Sequence, residues 1–254
     1  MFLGIDIGSS SSKAVIINEQ KKILGMAVIN TGAGTQGPDK AVAAALKEAG
    51  IRREKIKASV VTGYGRIMYD QADKQITEIS CHAKGVAHLM PSARTVIDIG
   101  GQDAKIIRLD ANGKVDNFVM NEKCAAGTGR FLEVMARILD CGIDNLAELS
   151  ESATEEIIIS NTCTVFAESE VISQMASGAK RENVAKGAHR AVAKRVAGLG
   201  SRVGIMPGVV MTGGVALNKG VVDALEKEIG EKIVVAENPQ LMGALGAALF
   251  ASEI

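Results

Sequence analysis

Two short segments of the chain combine an acidic residue, a glycine and a lysine at the same spacing. Ile5-Asp6-Ile7-Gly8 is followed, after four intervening residues, by Lys13, and Ile97-Asp98-Ile99-Gly100 is followed in the same way by Lys105. The segments keep one register, which favours an internal duplication. A carboxylate at a strand end, a glycine that lets the backbone turn, and successive backbone N–H groups together make a phosphate-binding turn.

Each copy predicts particular contacts with a nucleotide. The serines after Gly8 add hydroxyl donors and Lys13 adds a cation, while Gln102 and Asp103 could orient a water or hold Mg²⁺ through waters. A third turn, Gly213-Gly214 ahead of a helix, is expected at the adenosine end, and Gln240 either reaches the lip of the cleft or caps a helix. The predicted catalytic residues are Asp6, Gln102 and Asp103. The predicted nucleotide-binding residues are Gly8, Ser9, Ser10, Ser11, Ser12, Lys13, Asp98, Gly100, Gly101, Gly213, Gly214, Ala216 and Gln240.

Two familiar nucleotide motifs are excluded. The chain has no G-x-x-x-x-G-K-[ST] sequence, so it is not a P-loop protein. Residues 32–37 fit G-x-G-x-x-G, but they follow the third strand of a meander. A dinucleotide fingerprint belongs in the first turn of a βαβ unit. We therefore predict that residues 32–37 form a loop.

Two cysteines stand immediately before predicted helices. Cys124 precedes the glycine-rich turn Ala125–Gly129, and Cys163 precedes a helical pattern that starts near Val165. Backbone N–H groups at a helix N-terminus stabilise a thiolate and the negative charge of a metal–sulfur cluster. Neither cysteine forms the C-x-x-C pair of ferredoxin and zinc sites, and a lone cysteine is often a small buried apolar residue. The residues alone leave both interpretations open.

The elements that must position these residues alternate between strands and helices. We predict strands at 2–7, 13–18, 23–30 and 58–62, a helix from Pro38 to Gly50, and a helix at 79–90. The pattern then repeats, with strands at 95–99, 105–109, 115–120, 209–211 and 232–236. Helices are predicted at 129–139, 165–177, 181–202, 216–229 and 240–251. This order predicts an α/β fold with two duplicated lobes around a nucleotide cleft, residues 1–93 and 94–254, with a C-terminal helix that can return to the first lobe.

Composition narrows the class of protein further. The 254 residues include 29 basic and 29 acidic side chains, which argues against a general role at nucleic acid or at a membrane surface. Asp6 interrupts the apolar stretch that a signal peptide would need, and no run approaches the roughly 18 apolar residues of a membrane span. We therefore expect a cytoplasmic protein whose four cysteines stay reduced.

The motifs resemble those of a known family. Asp6–Lys13 and Asp98–Lys105 resemble the phosphate segments of the superfamily of actin, sugar kinases and heat-shock chaperone ATPases, and Val209–Asn218 resembles its adenosine segment. Five further segments resemble the activator ATPases of 2-hydroxyacyl-CoA dehydratases, whose wider family includes the ATPase subunits of benzoyl-CoA reductase. These segments are Thr62–Arg66, Glu78–Ala83, Val96–Lys105, Cys124–Phe131 and Thr162–Val171. The resemblance covers essentially the whole chain and implies two actin-like (ribonuclease H-like) lobes.

The resemblance also implies cofactors and partners. It implies a homodimer that holds one 4Fe–4S cluster between its subunits, with Cys124 and Cys163 of each as ligands; four cysteines of one subunit are the alternative. It implies ATP or ADP with Mg²⁺, and a ferredoxin or flavodoxin as electron donor. The implied acceptor is a dehydratase, an aryl-CoA reductase or a protein with a double-cubane cluster. The implied function is the ATP-dependent transfer of one low-potential electron to that partner.

Two other functions are compatible with the same fold. A small-molecule kinase needs an acceptor pocket and a general base, for which this compact chain has little room. A regulatory ATPase needs no redox group. Iron and a brown colour after anaerobic purification would separate the electron-transfer function from both. The role of Cys81 and His82 stays open, and Cys141, which no motif surrounds, is expected to be inert.

Overall fold

The computed structural model describes all 254 residues, which form two five-stranded sheets and eight α-helices. The first sheet contains β1 (Phe2–Ile7), β2 (Ser12–Ile17), β3 (Ile23–Ile29), β4 (Ala58–Thr62) and β5 (Lys74–Gln75). The second contains β6 (Thr95–Ile99), β7 (Ala104–Leu109), β8 (Val115–Asn121), β9 (Val209–Thr212) and β10 (Ile233–Val235). Four of these strands, β4, β6, β9 and β10, consist mainly of β-branched residues, which suit a pleated and buried surface.

The two sheets share one strand order. The first runs β3-β2-β1-β4-β5, and the second, started from its other edge, runs β8-β7-β6-β9-β10. In the first sheet β1 is antiparallel to β2 and parallel to β4, and in the second β9 is parallel to β10. The first sheet is thus an antiparallel meander of β1, β2 and β3 extended by β4 and β5 on one side, and the second sheet repeats this strand order. The predicted α/β fold with a duplicated unit is confirmed.

Apart from the short helix Leu146–Glu151, which was not predicted, the helices begin and end close to the predicted residues. They are α1 (Gly37–Ala49), α2 (Glu78–Leu89), α3 (Gly129–Ile138), α4 (Leu146–Glu151), α5 (Thr164–Ala176), α6 (Arg181–Gly200), α7 (Lys219–Ile229) and α8 (Met242–Ala251). The start of α7 was predicted three residues too early. Gly214–Leu217 forms a 3₁₀ turn instead, and Asn218 then caps α7 by accepting from the Val221 N–H over 3.1 Å. None of the helices combines the length and the apolar composition that a membrane span requires.

The chain divides into two compact units. The first comprises Met1–Val96, Leu109–Asn117 and Ala236–Ile254, and therefore includes α8; the second comprises Ile97–Arg108 and Phe118–Val235. In the first unit, alternate strand residues face opposite sides of the sheet. Leu3 and Ile5 pack towards α1, whereas Val60 packs towards α2 and α8. In the second unit one continuous core joins β6 and β9 to α3, α5, α6 and α7.

The core of the second unit contains His189, which is buried on α6. Its Nε2 atom has no hydrogen-bond partner, and burial lowers the pKa of the imidazole from 6.5 to about 4, although the nearby Asp223 opposes this shift. The His189 imidazole therefore takes up a proton near pH 6.5 in the unfolded chain, but only near pH 4 in the folded chain.

We therefore expect the contribution of neutral His189 to the free energy of unfolding to be fully present above about pH 6.5. As the pH drops to 4, the free energy of unfolding should fall by up to about 3 kcal/mol. The non-titrating His189→Gln variant should lose that part of the dependence. The urea midpoint at pH 7.5 and pH 4.5 measures it for both chains. An equal fall in the variant would assign the dependence to other groups.

Candidate functional site

The first phosphate segment lies where β1 ends. Asp6 is buried opposite Lys13 of β2, and Lys13 Nζ lies 3.6 Å from Asp6 Oδ2. The Gly8 N–H donates to the Ser11 carbonyl over 2.9 Å and closes a tight turn. Ser10 is exposed at the tip of this turn. A carboxylate, a cation and hydroxyl groups are thus brought to one turn, and this set suits a phosphate with its Mg²⁺ ion.

Ser12 differs from the serines that precede it. It is fully buried, and its hydroxyl donates to the Thr31 carbonyl over 2.8 Å. That bond fixes the chain just after β3. The hydroxyl hydrogen of Ser12 is therefore already used inside the protein, and Ser10 is the best exposed hydroxyl of the segment.

The second phosphate segment, at the end of β6, is more extensively bonded. Asp98 is buried and accepts from Lys105 Nζ over 3.1 Å, and Lys105 also forms an ion pair with Asp103. The Gly100 N–H donates to the Asp103 carbonyl over 2.9 Å. Gln102 is exposed at the tip of the turn. Gln102 is therefore the residue of this turn whose side chain is best placed to reach a water, while Asp103 is held by the buried lysine.

A threonine–glycine pair follows the neighbouring strand in both units. In the second unit Thr212 Oγ1 donates to Asp98 Oδ1 over 2.7 Å, and in the first Thr62 lies in register beside Asp6. The glycines that follow, Gly63 and Gly213, have φ of 89° and 84°, which glycine adopts without strain. A Cβ atom on either would also strike an oxygen of the adjacent aspartate turn.

This threonine–glycine pair lies outside both phosphate segments, Asp6–Lys13 and Asp98–Lys105. The pair can nevertheless be read from the sequence, since Val61-Thr62-Gly63 at the end of one short apolar strand matches Met211-Thr212-Gly213 at the end of another. The equivalence indicates that the duplicated unit is larger than the eight-residue phosphate segments, and that Gly213 is held against Asp98 by packing as well as by its own conformation.

Two other residues, Gly214 and Ala216, were predicted at the adenosine end of the nucleotide, and Gln240 was predicted at the lip of the cleft or as a helix cap. Gly214 is exposed and Ala216 is buried within the 3₁₀ turn that follows Gly213. Gln240 lies inside the 3₁₀ turn Pro239–Leu241 of the first unit, and the N-cap position of that turn belongs to Asn238.

The two cysteine segments lie side by side in the second unit. The Cys124 thiol approaches the Thr162 carbonyl, with Sγ and O 3.8 Å apart, and Cys163 is the next residue. Neither thiol is buried, in contrast to Cys81. Cys163 occupies the N-cap position of α5, and Cys124 precedes the turn that opens α3. No group of three or more His, Cys, Asp or Glu side chains is arranged to hold a metal ion.

The second phosphate turn is bonded directly to the start of α3. The Gly129 N–H donates to the Gly100 carbonyl over 2.9 Å, and the Arg130 N–H donates to the Gly101 carbonyl over 2.7 Å. These N–H groups belong to the first turn of the helix, where no intrahelical acceptor exists. The helix that follows the Cys124 segment is therefore hydrogen-bonded directly to the second phosphate turn.

Cys81 and His82 of α2 lie behind the first phosphate segment. Burial raises the pKa of the Cys81 thiol to about 12, and the neighbouring Thr62 opposes this shift. His82 Nε2 and Asp6 Oδ2 both border the open position beside the Gly243 Cα atom, about 3 Å from where a Cβ would stand. Cys81 is therefore a neutral buried thiol, while His82 belongs to the surroundings of Asp6. Burial also raises the pKa of Cys141.

Comparison with known proteins covers nearly the entire chain. The model of the BadF/BadG/BcrA/BcrD ATPase family matches residues 3–251. This chain belongs to that ATPase family. Within the family it is similar to the activator of lactoyl-CoA dehydratase from Anaerotignum propionicum, at 57% identity over 251 residues that cover 99% of this chain and 97% of that protein.

Two further members of the family are similar over their whole length. The (R)-2-hydroxyglutaryl-CoA dehydratase activating ATPase of Acidaminococcus fermentans is 50% identical over 98% of this chain and 96% of that protein. The solved structure of the activator of 2-hydroxyisocaproyl-CoA dehydratase from Clostridium difficile, with bound ADPNP, matches with a TM-score of 0.96 and 52% identity, covering 100% and 95% of the two chains. The predicted family and the predicted actin-like fold are confirmed.

Proposed function

We propose that this chain is an ATP-dependent activator that transfers one low-potential electron from a 4Fe–4S cluster to a 2-hydroxyacyl-CoA dehydratase or a related reductase. The cluster is shared by two copies of the chain and is charged by a ferredoxin or flavodoxin. The observation that carries the proposal is the contact between the two cysteine segments, where Cys124 Sγ lies 3.8 Å from the carbonyl of the residue before Cys163. The relatives named above as dehydratase activators support the choice of partner.

The residues around these cysteines fit a metal–sulfur group. Both thiols are partly exposed and stand at helix starts, where backbone N–H groups favour negative charge. Two thiols per chain supply half of the four ligands of a cubane, so a second copy related by a two-fold axis would complete the set. When bound, such a cluster supplies a one-electron carrier. Cys124 and Cys163 would hold it, and the buried Cys81 would take no part.

The hydrogen bonds at the start of α3 couple the phosphate turn to the helix that follows Cys124. ATP and Mg²⁺ would lie at Asp6, Lys13 and the turn after Asp98, with adenosine near Gly213. A shift in the position of the Gly100 and Gly101 carbonyls would move the N–H groups of Gly129 and Arg130, because these groups are hydrogen-bonded directly. The helix that follows Cys124 therefore responds to the occupant of the phosphate turn.

The test of the proposal is the state of the protein after anaerobic purification. We expect a brown dimer with about four irons per two chains, which hydrolyses ATP and bleaches in air over minutes to hours. The circular dichroism spectrum should not change on bleaching, because the hydrophobic cores of the two units contain neither Cys124 nor Cys163. A colourless and iron-free ATPase would instead support a kinase or a regulatory ATPase.

The exposed position of Gln102 leads to a kinetic prediction. Gln102→Ala should lower kcat for ATP hydrolysis by about 100-fold while the Kd for ATP stays within about twofold, because a water-positioning group acts mainly in the transition state. Asp103→Asn should weaken ATP binding as well, since it removes one of the two carboxylates that hold the buried Lys105. Steady-state hydrolysis and equilibrium titration with ATP measure both. Equal losses of kcat and affinity in Gln102→Ala would give that residue a binding role.

A further inference from the structure

A cavity of about 380 Å³ opens in the second unit beside the cysteine segments. Three cations from α6 and the turn after it line the cavity, together with two carboxamides and Gly127. We call it the basic recess, and its polar side chains are Lys194, Arg195, Arg202, Asn121 and Asn161.

The positive charge of the basic recess is not balanced. The side chains of Lys194, Arg195 and Arg202 form no ion pair and no hydrogen bond, and no acidic side chain lines the cavity. Other cations of the unit do form ion pairs, as Arg190 does with Glu156 and Glu228. A chain whose total charge is zero therefore presents a local positive potential here.

The recess is attached to both cysteine segments. Asn121 Nδ2 donates to the Cys124 carbonyl over 2.8 Å, and Asn161 stands two residues before Cys163. The aliphatic part of Arg195 packs on the Cys124 loop, where a Cβ on Gly127 would lie 2.7 Å from Arg195 Cγ. A molecule seated in the recess therefore lies beside the two cysteine segments.

We propose that the basic recess is the docking site for carboxylates on the acidic surface of the protein that delivers electrons to this chain. The inference rests on the proposed function, because it is the cluster position that makes docking at this place useful. Lys194 and Arg202 are exposed at the rim. Cations in such a position attract an acidic surface before contact and raise the association rate.

The structure disfavours two other occupants, a second copy of this chain and nucleic acid. An isologous contact between two copies centred on the recess would set cations against cations. Nucleic acid would need a long basic track, and the remainder of the chain does not supply one, given its balanced charge. Carboxylates presented by a folded protein match the recess in charge and in its open form.

The experiment uses the anaerobic dimer and an acidic flavodoxin, which contains no iron, as the probe. The Kd between them is measured by fluorescence anisotropy at low and high ionic strength for three variants, Lys194→Glu, Arg202→Glu and Lys227→Glu. Lys227 is the matched control, since it is exposed on α7 of the same unit, forms no ion pair and lies outside the recess. We expect about tenfold weaker binding for the two recess variants and less than about twofold for the control, with the difference vanishing at high salt.

Three outcomes would overturn the docking site. These are equal effects of Lys194→Glu and Lys227→Glu, loss of the dimer in sedimentation of the recess variants, and tighter binding of a single-stranded oligonucleotide than of flavodoxin. Iron content is measured separately on every sample. A wild-type chain without iron would refute the proposed function, whereas the contrast in Kd between recess and control variants decides the docking site.

Discussion

Replacing Cys124 or Cys163 by alanine is expected to remove essentially all bound iron and visible colour from the anaerobic protein. Each substitution leaves one thiol per chain, so a cluster shared by two chains would retain only two of the four protein ligands that a cubane requires. The fold should persist, because both thiols are partly exposed and lie outside the buried core. Iron content and visible absorbance measure the loss, and circular dichroism measures the fold.

The other two cysteines provide matched controls. Cys141→Ala should keep its iron, since that side chain packs against the core of the second unit and its thiol has a raised pKa. Cys81→Ala should also keep its iron, because Cys81 is buried in the first unit. A Cys163→Ala dimer with full iron content would contradict the ligand assignment. Loss of iron in Cys141→Ala would show that the set of ligands is wrong.

Replacing Gly213 by alanine is expected to lower both the stability of the protein and its affinity for ATP. Alanine at φ 84° is strained, and its Cβ would strike the Ile99 carbonyl and approach Asp98 Oδ1 to 3.0 Å. The strand end must then move, together with the hydrogen bond from Thr212 to Asp98. We expect a fall in Tm of about 10 °C, which corresponds to roughly 3 kcal/mol or more.

Gly178→Ala separates conformational strain from this clash. Gly178 has φ of 88°, and a Cβ there would meet nothing within 4 Å. Its substitution should cost only about 1 kcal/mol, or about 2–4 °C in Tm, and should leave the Kd for ATP unchanged. Calorimetry and titration with ATP compare the two variants. If both lose the same Tm and neither loses affinity, then the turn at Gly213 does not form part of the nucleotide site.

The order of strands and helices could be predicted from the sequence, because the chemistry of the turns marks where elements end. Pro38 and Gly50 bracket α1 as predicted, and each Asp-Ile-Gly segment follows a short apolar strand. The predicted start of α7 was wrong because a 3₁₀ turn follows Gly213 before the Asn218 cap. Short elements such as α4 and β5 carry too few residues to show a period.

The connections within the candidate site could not be predicted from sequence. The bonds from Gly129 and Arg130 to the phosphate turn join backbone atoms some 29 residues apart, and backbone groups leave no mark in a side-chain pattern. The packing of Arg195 on Gly127 likewise depends on how α6 lies across the loop. The residue types indicated phosphate and thiol chemistry, while the coupling between them became visible only in three dimensions.

The most direct test of the account follows the oxidation of the reduced protein by its partner. The dithionite-reduced dimer, freed of excess reductant, is mixed anaerobically with a 2-hydroxyacyl-CoA dehydratase, and the visible absorbance is recorded with ATP, with a non-hydrolysable analogue and without nucleotide. We expect fast oxidation with ATP, at one electron per dimer, and no fast oxidation with the analogue or without nucleotide. Oxidation at the same rate without nucleotide, or no oxidation with ATP, would contradict this expectation.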